Sequence, residues 1–259
     1  MKVTILGSGG SGGVPLINGN WGKCNPNNPK NRRRRVSLLV EIKNKVILID
    51  ASPDLRSQLL DANVKKLDAI LFTHAHADHC HGIDDIRFMP RPLKDQPFNC
   101  YGDQETIEEL KIKFNYIFNQ THKGSWNLYK PFLNPHIVTE SFYIDDIEVI
   151  PFEQNHGPNT KTLGYRIGNM AYSTDVVKIP EQSFQYLHNL DLWIVDCLLW
   201  EAHQTHAHVD LALEWIKRVK PKHAVLTHLG TLMDYDELKS YCPPNVEPAY
   251  DGLNFTLVS

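Results

Sequence analysis

Three histidines and one aspartate lie within six consecutive positions, from His74 to His79. Imidazole nitrogens and carboxylate oxygens are protein ligands that suit zinc, manganese and iron. Because buried imidazoles and carboxylates are costly unless they are paired or bind a metal, four such neighbours are hard to explain by structure alone. We therefore interpret His74, His76, Asp78 and His79 as metal ligands.

Further candidate ligands occur at the ends of later apolar segments. His156, Asp175 and His228 each follow a run that is typical of a buried β-strand, and Asp50 closes another such run. Any one of them alone would more often be a structural or surface residue. Together with the first cluster they indicate a centre that is assembled from several strand ends.

Apolar periodicity predicts the elements that would position these residues. The predicted strands cover residues 2–6, 36–42, 46–50, 68–72, 98–101, 147–151, 163–167, 171–173, 192–196, 223–227 and 254–258. The predicted helices cover residues 54–62, 84–89, 104–114, 182–189 and 209–219. Strands come in runs between helices, so the pattern predicts an α/β fold with two mixed sheets packed face to face and helices outside.

Composition limits the class of protein that this chain can be. Its 259 residues suit one large α/β domain or two small ones. The formal net charge of -3 gives no global electrostatic case for binding nucleic acid or an anionic membrane, and no apolar stretch approaches the ~18 residues of a membrane helix. The five cysteines are scattered without CxxC spacing, which favours a reducing cytoplasmic location over a disulfide framework.

A glycine-rich segment near the start has two readings. Residues 7–12 match the GxGxxG pattern of dinucleotide-binding proteins and follow the first predicted strand. That pattern requires a helix directly afterwards, whereas Val14, Pro15 and an Asn-rich stretch follow here. We therefore expect a turn that lies beneath the metal centre and lines a phosphate pocket, rather than a dinucleotide site. The first residues predict a strand and not a signal peptide.

The order and spacing of the candidate ligands resemble the metallo-β-lactamase superfamily of binuclear hydrolases. The residues that carry this resemblance are His74, His76, Asp78, His79, His156, Asp175 and His228. The resemblance covers most of the chain and implies one domain, residues 1–259, folded as a four-layer αββα sandwich with two divalent metal ions at one edge. The ligand set contains no cysteine, so zinc and manganese both remain possible.

The resemblance also implies a role for each ligand. One ion would be held by His74, His76 and His156, and the other by Asp78, His79 and His228. Asp175 would bridge the two ions, and a hydroxide would supply the second bridge. Asp50 resembles the aspartate of the superfamily's first motif, whose carboxylate orients the ligand loop.

Finer features resemble the phosphoribosyl cyclic phosphodiesterase branch of this superfamily. These features are the glycine segment (residues 7–15), the run at residues 84–87 and the histidine segment at residues 203–206. The branch implies hydrolysis of small cyclic phosphodiesters, such as phosphoribosyl 1,2-cyclic phosphate or 2′,3′-cyclic nucleotides, and a possible homodimer. Some members carry a Cys-rich structural zinc site after the glycine segment, but only Cys24 is present here.

Four consecutive arginines, residues 32–35, form a basic island just before a predicted strand. Guanidinium groups match phosphate oxygens bidentately. A solvated surface run explains the same pattern equally well. On the phosphate interpretation, Arg34, Arg35 and Ser37 are candidate substrate-binding residues.

A phosphodiesterase also needs a proton donor for the departing alkoxide, and histidine is the usual donor near neutral pH. His203, His206 and His208 lie together before a predicted helix and are candidate substrate contacts. The resemblance favours His206 as the general acid, with His203 or Asp210 orienting it. The candidate catalytic residues are thus His206 and the ligand Asp78.

Three other functions remain open. A tRNA 3′-processing endonuclease would use the same metals, but the sequence has no long basic arm with which to grip tRNA. A thioester or lactone hydrolase of the same fold would leave the arginine run unexplained. A nucleotide-binding metalloprotein without turnover would not need the complete ligand set. Residues 113–135, with poor periodicity, are a candidate lid over the site.

Overall fold

The computed structural model describes residues 1–91, 96–119 and 132–258, which contain two seven-stranded sheets. The strands are β1 (Lys2–Gly7), β2 (Ser37–Ile42), β3 (Lys45–Ile49), β4 (Ala69–Leu71), β5 (Phe98–Gly102), β6 (Leu133–Ile137), β7 (Phe142–Ile144), β8 (Ile147–Asn155), β9 (Lys161–Ile167), β10 (Met170–Ser173), β11 (Leu192–Asp196), β12 (His223–Thr227), β13 (Val246–Pro248) and β14 (Asn254–Thr256). The α-helices are α1 (Leu55–Asp61), α2 (Ala77–Cys80), α3 (Gln104–Lys113), α4 (Asn115–Phe118), α5 (Val209–Val219) and α6 (Tyr235–Tyr241). Short 3₁₀ helices cover Pro29–Asn31, Ile83–Phe88 and Glu181–Leu187.

Both sheets are mixed. The first has the order β14-β1-β2-β3-β4-β5-β6, and the second has the order β13-β12-β11-β10-β9-β8-β7. Strands β3 to β6 run parallel to one another, as do β10 to β13, while the remaining pairs are antiparallel. Because parallel strands end at the same edge of a sheet, the loops after them converge, and such edges are where α/β proteins bind ligands.

Three apolar layers follow from the two-residue period of the strands. In β3, Ile47 and Ile49 face a central core that also contains Ile194 and Val225 of the second sheet. Between them, Leu48 faces the opposite side of the first sheet and packs with residues of α1 and α3. The other face of the second sheet is covered by α5 and α6. This arrangement confirms the predicted four-layer sandwich of two mixed sheets with outer helices.

Helix α5 shows why the outer layers form. Its buried residues Ala212, Trp215 and Ile216 recur at intervals of three and four, which places them on one face of the helix. Lys217 and Arg218 lie in its last turn, where positive charge is favoured by the helix dipole. Lys220 then ends the helix in the left-handed conformation.

The sequence-based elements differ from the structure mainly at the sheet edges. The predictions missed β6, β7 and β13, which are short or contain proline and lie at or beside edges, where proline is tolerated and the periodic signal is weak. They also missed the helices α2, α4 and α6, and the helices predicted at residues 84–89 and 182–189 are 3₁₀ helices. Most of the candidate lid, residues 120–131, lies outside the described residues; around it are α4 and the start of β6. None of the helices that the structure describes is long and apolar enough to cross a membrane.

Candidate metal centre

The loops that follow strands of both sheets meet at one edge of the sandwich. Strand β4 leads into the loop with His74, and β8 ends one residue before His156. Asp175 and His228 follow β10 and β12, which belong to the parallel part of the second sheet. Asp50, Asp175 and His228 have positive φ angles of 62°, 51° and 60°, a conformation that is costly for these residues and is found at functional sites.

The structure brings all the predicted ligands together. Their donor atoms form two groups in which each atom lies within 4.8 Å of the others. The first group is His74, His76, His156 and Asp175, and the second is Asp78, His79, Asp175 and His228. Asp175 is the member common to both groups, as the predicted bridging role requires. His76 is exposed, whereas the other members are buried.

Asp175 divides its two carboxylate oxygens between the groups. Its Oδ1 lies 3.0 Å from Nε2 of His79 and 3.3 Å from Nε2 of His228. Its Oδ2 lies 3.8 Å from Nε2 of His74 and 3.6 Å from Nε2 of His156. The Thr174 hydroxyl donates a hydrogen bond of 2.8 Å to Oδ1 and so helps to fix the carboxylate. One negative group therefore lies between two sets of nitrogen donors.

The donor atoms fit divalent metal ions. Nε2 of His74 and Nε2 of His79 are buried and have no aligned hydrogen-bond partner among the described residues, which is costly unless a ligand occupies that position. In two of the candidate ligands, the other ring nitrogen, Nδ1, makes a hydrogen bond to a group outside the donor set. Nδ1 of His79 bonds to Asp50 Oδ2 at 2.8 Å, and Nδ1 of His156 bonds to the Thr205 carbonyl at 2.8 Å. Such outer contacts fix the tautomer and the ring orientation of metal-binding histidines.

The electrostatics of the cluster also favour added positive charge. Burial opposes a charged His228, yet Asp175, Asp78 and Asp196 raise its pKa to about 9. Burial likewise opposes a charged His79, but the nearby carboxylates, Asp175 foremost, raise its pKa well above the usual value. Burial alone would raise the pKa of Asp175, whereas His228 and His79 hold that pKa well below the usual value. The Asp175 carboxylate therefore stays ionised and attracts positive charge.

Asp50 supports the ligand loop from below. Its Oδ1 accepts from the Thr73 amide at 2.8 Å, and its Oδ2 accepts from the Thr73 hydroxyl at 2.8 Å as well as bonding to His79. Burial raises the pKa of Asp50, although His79 and Thr73 counteract this effect. Ser37 is buried and donates to the Asp50 carbonyl oxygen at 2.8 Å, so its hydroxyl engages the backbone here.

A residue that the sequence analysis missed is Asp196, at the end of β11. It is fully buried, and its Oδ2 lies 2.9 Å from Nδ1 of His206 and accepts from the backbone amides of Val176 and Ala207. Nε2 of His206 then points toward the cluster, 3.9 Å from Asp175 Oδ2. Asp196, His206 and His228 form a third group of closely spaced donor atoms.

The prediction that His203 or Asp210 orients His206 is wrong, because the carboxylate that bonds to Nδ1 of His206 is that of Asp196. His203 is exposed, and its Nδ1 lies 3.1 Å from the Thr205 hydroxyl. Asp210 is also exposed, and its carboxylate accepts a hydrogen bond of 3.0 Å from the Tyr241 hydroxyl. His208 is the residue before α5, where it caps the helix without a side-chain hydrogen bond. Of the three candidate histidines, His206 is the one placed in the cluster.

Two of the arginines, Arg34 and Arg35, form ion pairs next to the glycine segment. Arg34 pairs with Asp61 at 2.7 Å and with Asp251 at 3.0 Å, and Arg35 pairs with Asp54 at 2.8 Å. These arginines line a cavity of which none of the candidate ligands is a part. Their predicted contact with substrate phosphate stays a prediction, and the structure gives each of them a carboxylate partner.

The glycine segment lies directly against the metal centre. A Cβ added at Gly10 would lie 3.4 Å from Cε1 and Nδ1 of His228, so the absence of a side chain lets the loop approach this ligand. No helix begins directly after the segment, as expected; the next helical element in the described part of the chain is the 3₁₀ helix Pro29–Asn31. Cys24 is buried beside the loop after His228, and among the described residues it belongs to no cluster of metal-type ligands.

The αββα sandwich with its histidine and aspartate cluster defines a metal-dependent hydrolase. A sequence profile of the β-lactamase superfamily domain matches residues 45–229, so the chain belongs to this family. Within it, the chain is similar over nearly its whole length to the crystal structure of a new diphosphatase from the PhnP family. The two are 33% identical with a TM-score of 0.88, and the match covers 99% of this chain and 98% of that one. The chain thus lies in a PhnP-like branch of the superfamily.

Two other relatives extend the comparison. An octanoyltransferase of Porphyromonas gingivalis is 32% identical over 257 residues, which are 98% of this chain but only 51% of that protein. This chain therefore spans about half the length of that relative. The Zn²⁺-bound PqqB of Methylobacterium extorquens has a TM-score of 0.76 at 18% identity, covering 99% of this chain and 100% of that one, and shares the fold.

Proposed function

We propose that this protein is a binuclear metal-dependent phosphodiesterase that hydrolyses small cyclic phosphodiesters, of the phosphoribosyl 1,2-cyclic phosphate or 2′,3′-cyclic nucleotide type. The observation that carries the proposal is the position of Asp175. It lies between two groups of metal-type donors and beside His206, so a reacting phosphate, two cations and a proton donor can share one small volume. When bound, the ions would supply an activated water and neutralise phosphoryl oxygens.

The protein's own residues supply the proton transfer. Nδ1 of His206 is tied to the buried Asp196 carboxylate, so the free Nε2 is the atom that can donate to a departing oxygen. A carboxylate behind an imidazole fixes the tautomer and the orientation of the ring. Because His206 is 8% exposed, its proton is shielded from bulk water and directed toward the cluster.

Replacing Asp196 by asparagine is expected to lower kcat by about 100-fold, since general acid catalysis contributes 10²- to 10⁴-fold and Asn keeps the shape but not the charge. The measurement is steady-state turnover of a cyclic phosphodiester by metal-loaded protein, with metal content determined in parallel. Asp191→Asn is a matched control, because Asp191 pairs with the exposed Lys222 at the opposite end of β11 from Asp196. Unchanged kcat in Asp196→Asn would remove the assigned role of the Asp196–His206 pair.

A second candidate reaction is hydrolysis of a diphosphate bond. It is favoured by the diphosphatase of the PhnP family, which is similar to this chain over almost its full length. Cyclic phosphodiesters and diphosphates both present a phosphoryl centre with an oxygen leaving group. The same donors and the same His206 would therefore serve either substrate.

A substrate panel separates these reactions from their rivals. Protein loaded with Zn²⁺ or Mn²⁺ is tested on bis(p-nitrophenyl) phosphate, 2′,3′-cyclic nucleotides, phosphoribosyl 1,2-cyclic phosphate, a dinucleoside diphosphate, a precursor tRNA and an octanoyl thioester. We expect metal-dependent cleavage of the cyclic phosphates. Cleavage of the diphosphate alone would support the second candidate, and turnover of only the thioester or tRNA would refute both. The thioester is included because the Porphyromonas gingivalis relative is an octanoyltransferase.

A further inference from the structure

Arg33 differs from its three neighbours in the arginine run. It is 2% exposed, while Arg32 lies at the surface with its guanidinium over the Trp21 ring. Arg34 and Arg35 have carboxylate partners, but among the described residues no carboxylate lies within ion-pair distance of Arg33. A buried guanidinium without such a partner is costly, so its other contacts need an explanation.

Those contacts join three separate segments. Nη2 of Arg33 donates to Asn31 Oδ1 at 3.1 Å, and Nη1 donates to the Gly230 carbonyl at 3.4 Å and lies 3.7 Å from Cys24 Sγ. The Arg33 backbone exchanges two hydrogen bonds of 2.9 Å with Val14 of the glycine segment. Arg33 therefore connects the glycine segment, the loop around Cys24 and the turn that follows β12.

The turn after β12 begins with the candidate ligand His228. His228 has a φ of 60°, in the left-handed region, which costs some free energy for a residue other than glycine and so needs support from the surrounding structure. Leu229 donates to the Ser8 carbonyl and Gly230 donates to the Leu198 carbonyl, while Arg33 holds the Gly230 carbonyl from the other side. Gly10 lies on the glycine segment that Arg33 also holds, and a Cβ there would come within 3.4 Å of the His228 ring. Arg33 thus contacts both the segment that lies against the His228 ring and the turn that follows His228.

We infer that Arg33 is a positioning residue for the metal centre, which holds His228 in its strained conformation by tying the glycine segment and the Gly230 turn together. The inference rests on the proposed binuclear centre, since its effect is expected at the group formed by Asp78, His79 and His228. A planar guanidinium can reach Asn31 and Gly230 at once, whereas an ammonium is a single point donor. Lysine should therefore not replace Arg33.

The test compares Arg33→Lys and Arg33→Met with Arg32→Lys and Arg32→Met. The Arg32 variants make the same replacements at the exposed neighbouring arginine. Metal titration should show that one of the two ions, the one held by Asp78, His79 and His228, binds about 10- to 100-fold less tightly in the Arg33 variants, the usual range for contacts that orient ligands. Binding of the other ion should change by less than about threefold, because His74, His76 and His156 lie on other loops. The Arg32 variants should match the wild type.

Amide hydrogen exchange supplies a readout that does not depend on metal. In metal-free protein, residues 229–233 should exchange faster in Arg33→Lys than in the wild type, while the strands of the second sheet keep their protection. Equal loss of both ions, or uniformly faster exchange, would overturn the inference, because the effect would then be general destabilisation. If the wild type binds no metal, the proposed function fails, and local exchange at residues 229–233 still decides whether Arg33 holds this turn.

Discussion

Asp175→Asn is expected to lose at least one metal ion and to lower kcat/KM by about 10³-fold, equivalent to ~4 kcal/mol of transition-state stabilisation. Asparagine keeps the size and one oxygen of the side chain but removes the negative charge. That charge lies within 4 Å of Nε2 of His74, His79, His156 and His228. Two cations close together need a negative ligand between them, so both losses should appear together.

The measurement pairs metal analysis after gel filtration with turnover of bis(p-nitrophenyl) phosphate. Asp146→Asn is the control, since Asp146 is an exposed aspartate that pairs with Lys43. Circular dichroism should show that Asp175→Asn remains folded, because its neighbours in β10 are unchanged. Wild-type metal content and affinity in Asp175→Asn would contradict a bridging role, even if activity were lost.

The candidate ligands could be recognised in the sequence because His74, His76, Asp78 and His79 form one local cluster, and the others each follow an apolar run that the sequence displays directly. Asp175 and His228 follow β10 and β12, and neither position depends on knowing the strand order. Asp196 ends a run of the same kind, yet its role depends on that order. Strand β11 pairs with both β10 and β12, so its last residue lies between Asp175 and His228. No local pattern in a single sequence specifies which strands are neighbours.

The arginine run shows a second limit of local reasoning. Four adjacent guanidinium groups suggest one shared purpose, but the structure gives them different surroundings. Arg34 pairs with Asp61 and Asp251, which are 27 and 217 positions away, and Arg33 is enclosed by the turn after β12. Only tertiary contacts between distant segments distinguish a buried positioning residue from a surface ion pair.

His206→Ala is expected to keep both metal ions and to lower kcat by about 10²- to 10⁴-fold on a substrate with an alkoxide leaving group. The reason is geometric: Nε2 of His206 is the free imidazole nitrogen beside Asp175, and Asp196 occupies Nδ1. A p-nitrophenolate departs without protonation, so the loss on bis(p-nitrophenyl) phosphate should be much smaller. The ratio of the two losses measures the proton transfer itself.

His203→Ala and His208→Ala provide the comparison, because the residue pattern alone left the three histidines open and only the family resemblance favoured His206. The kcat of both variants should fall far less than that of His206→Ala, since His203 is exposed beside Thr205 and His208 lies at the start of α5. Equal losses of His206→Ala on both substrates would mean that His206 contacts phosphate without protonating the leaving group. Loss of a metal ion would mean instead that His206 is a ligand, as its place in a donor group with Asp196 and His228 permits.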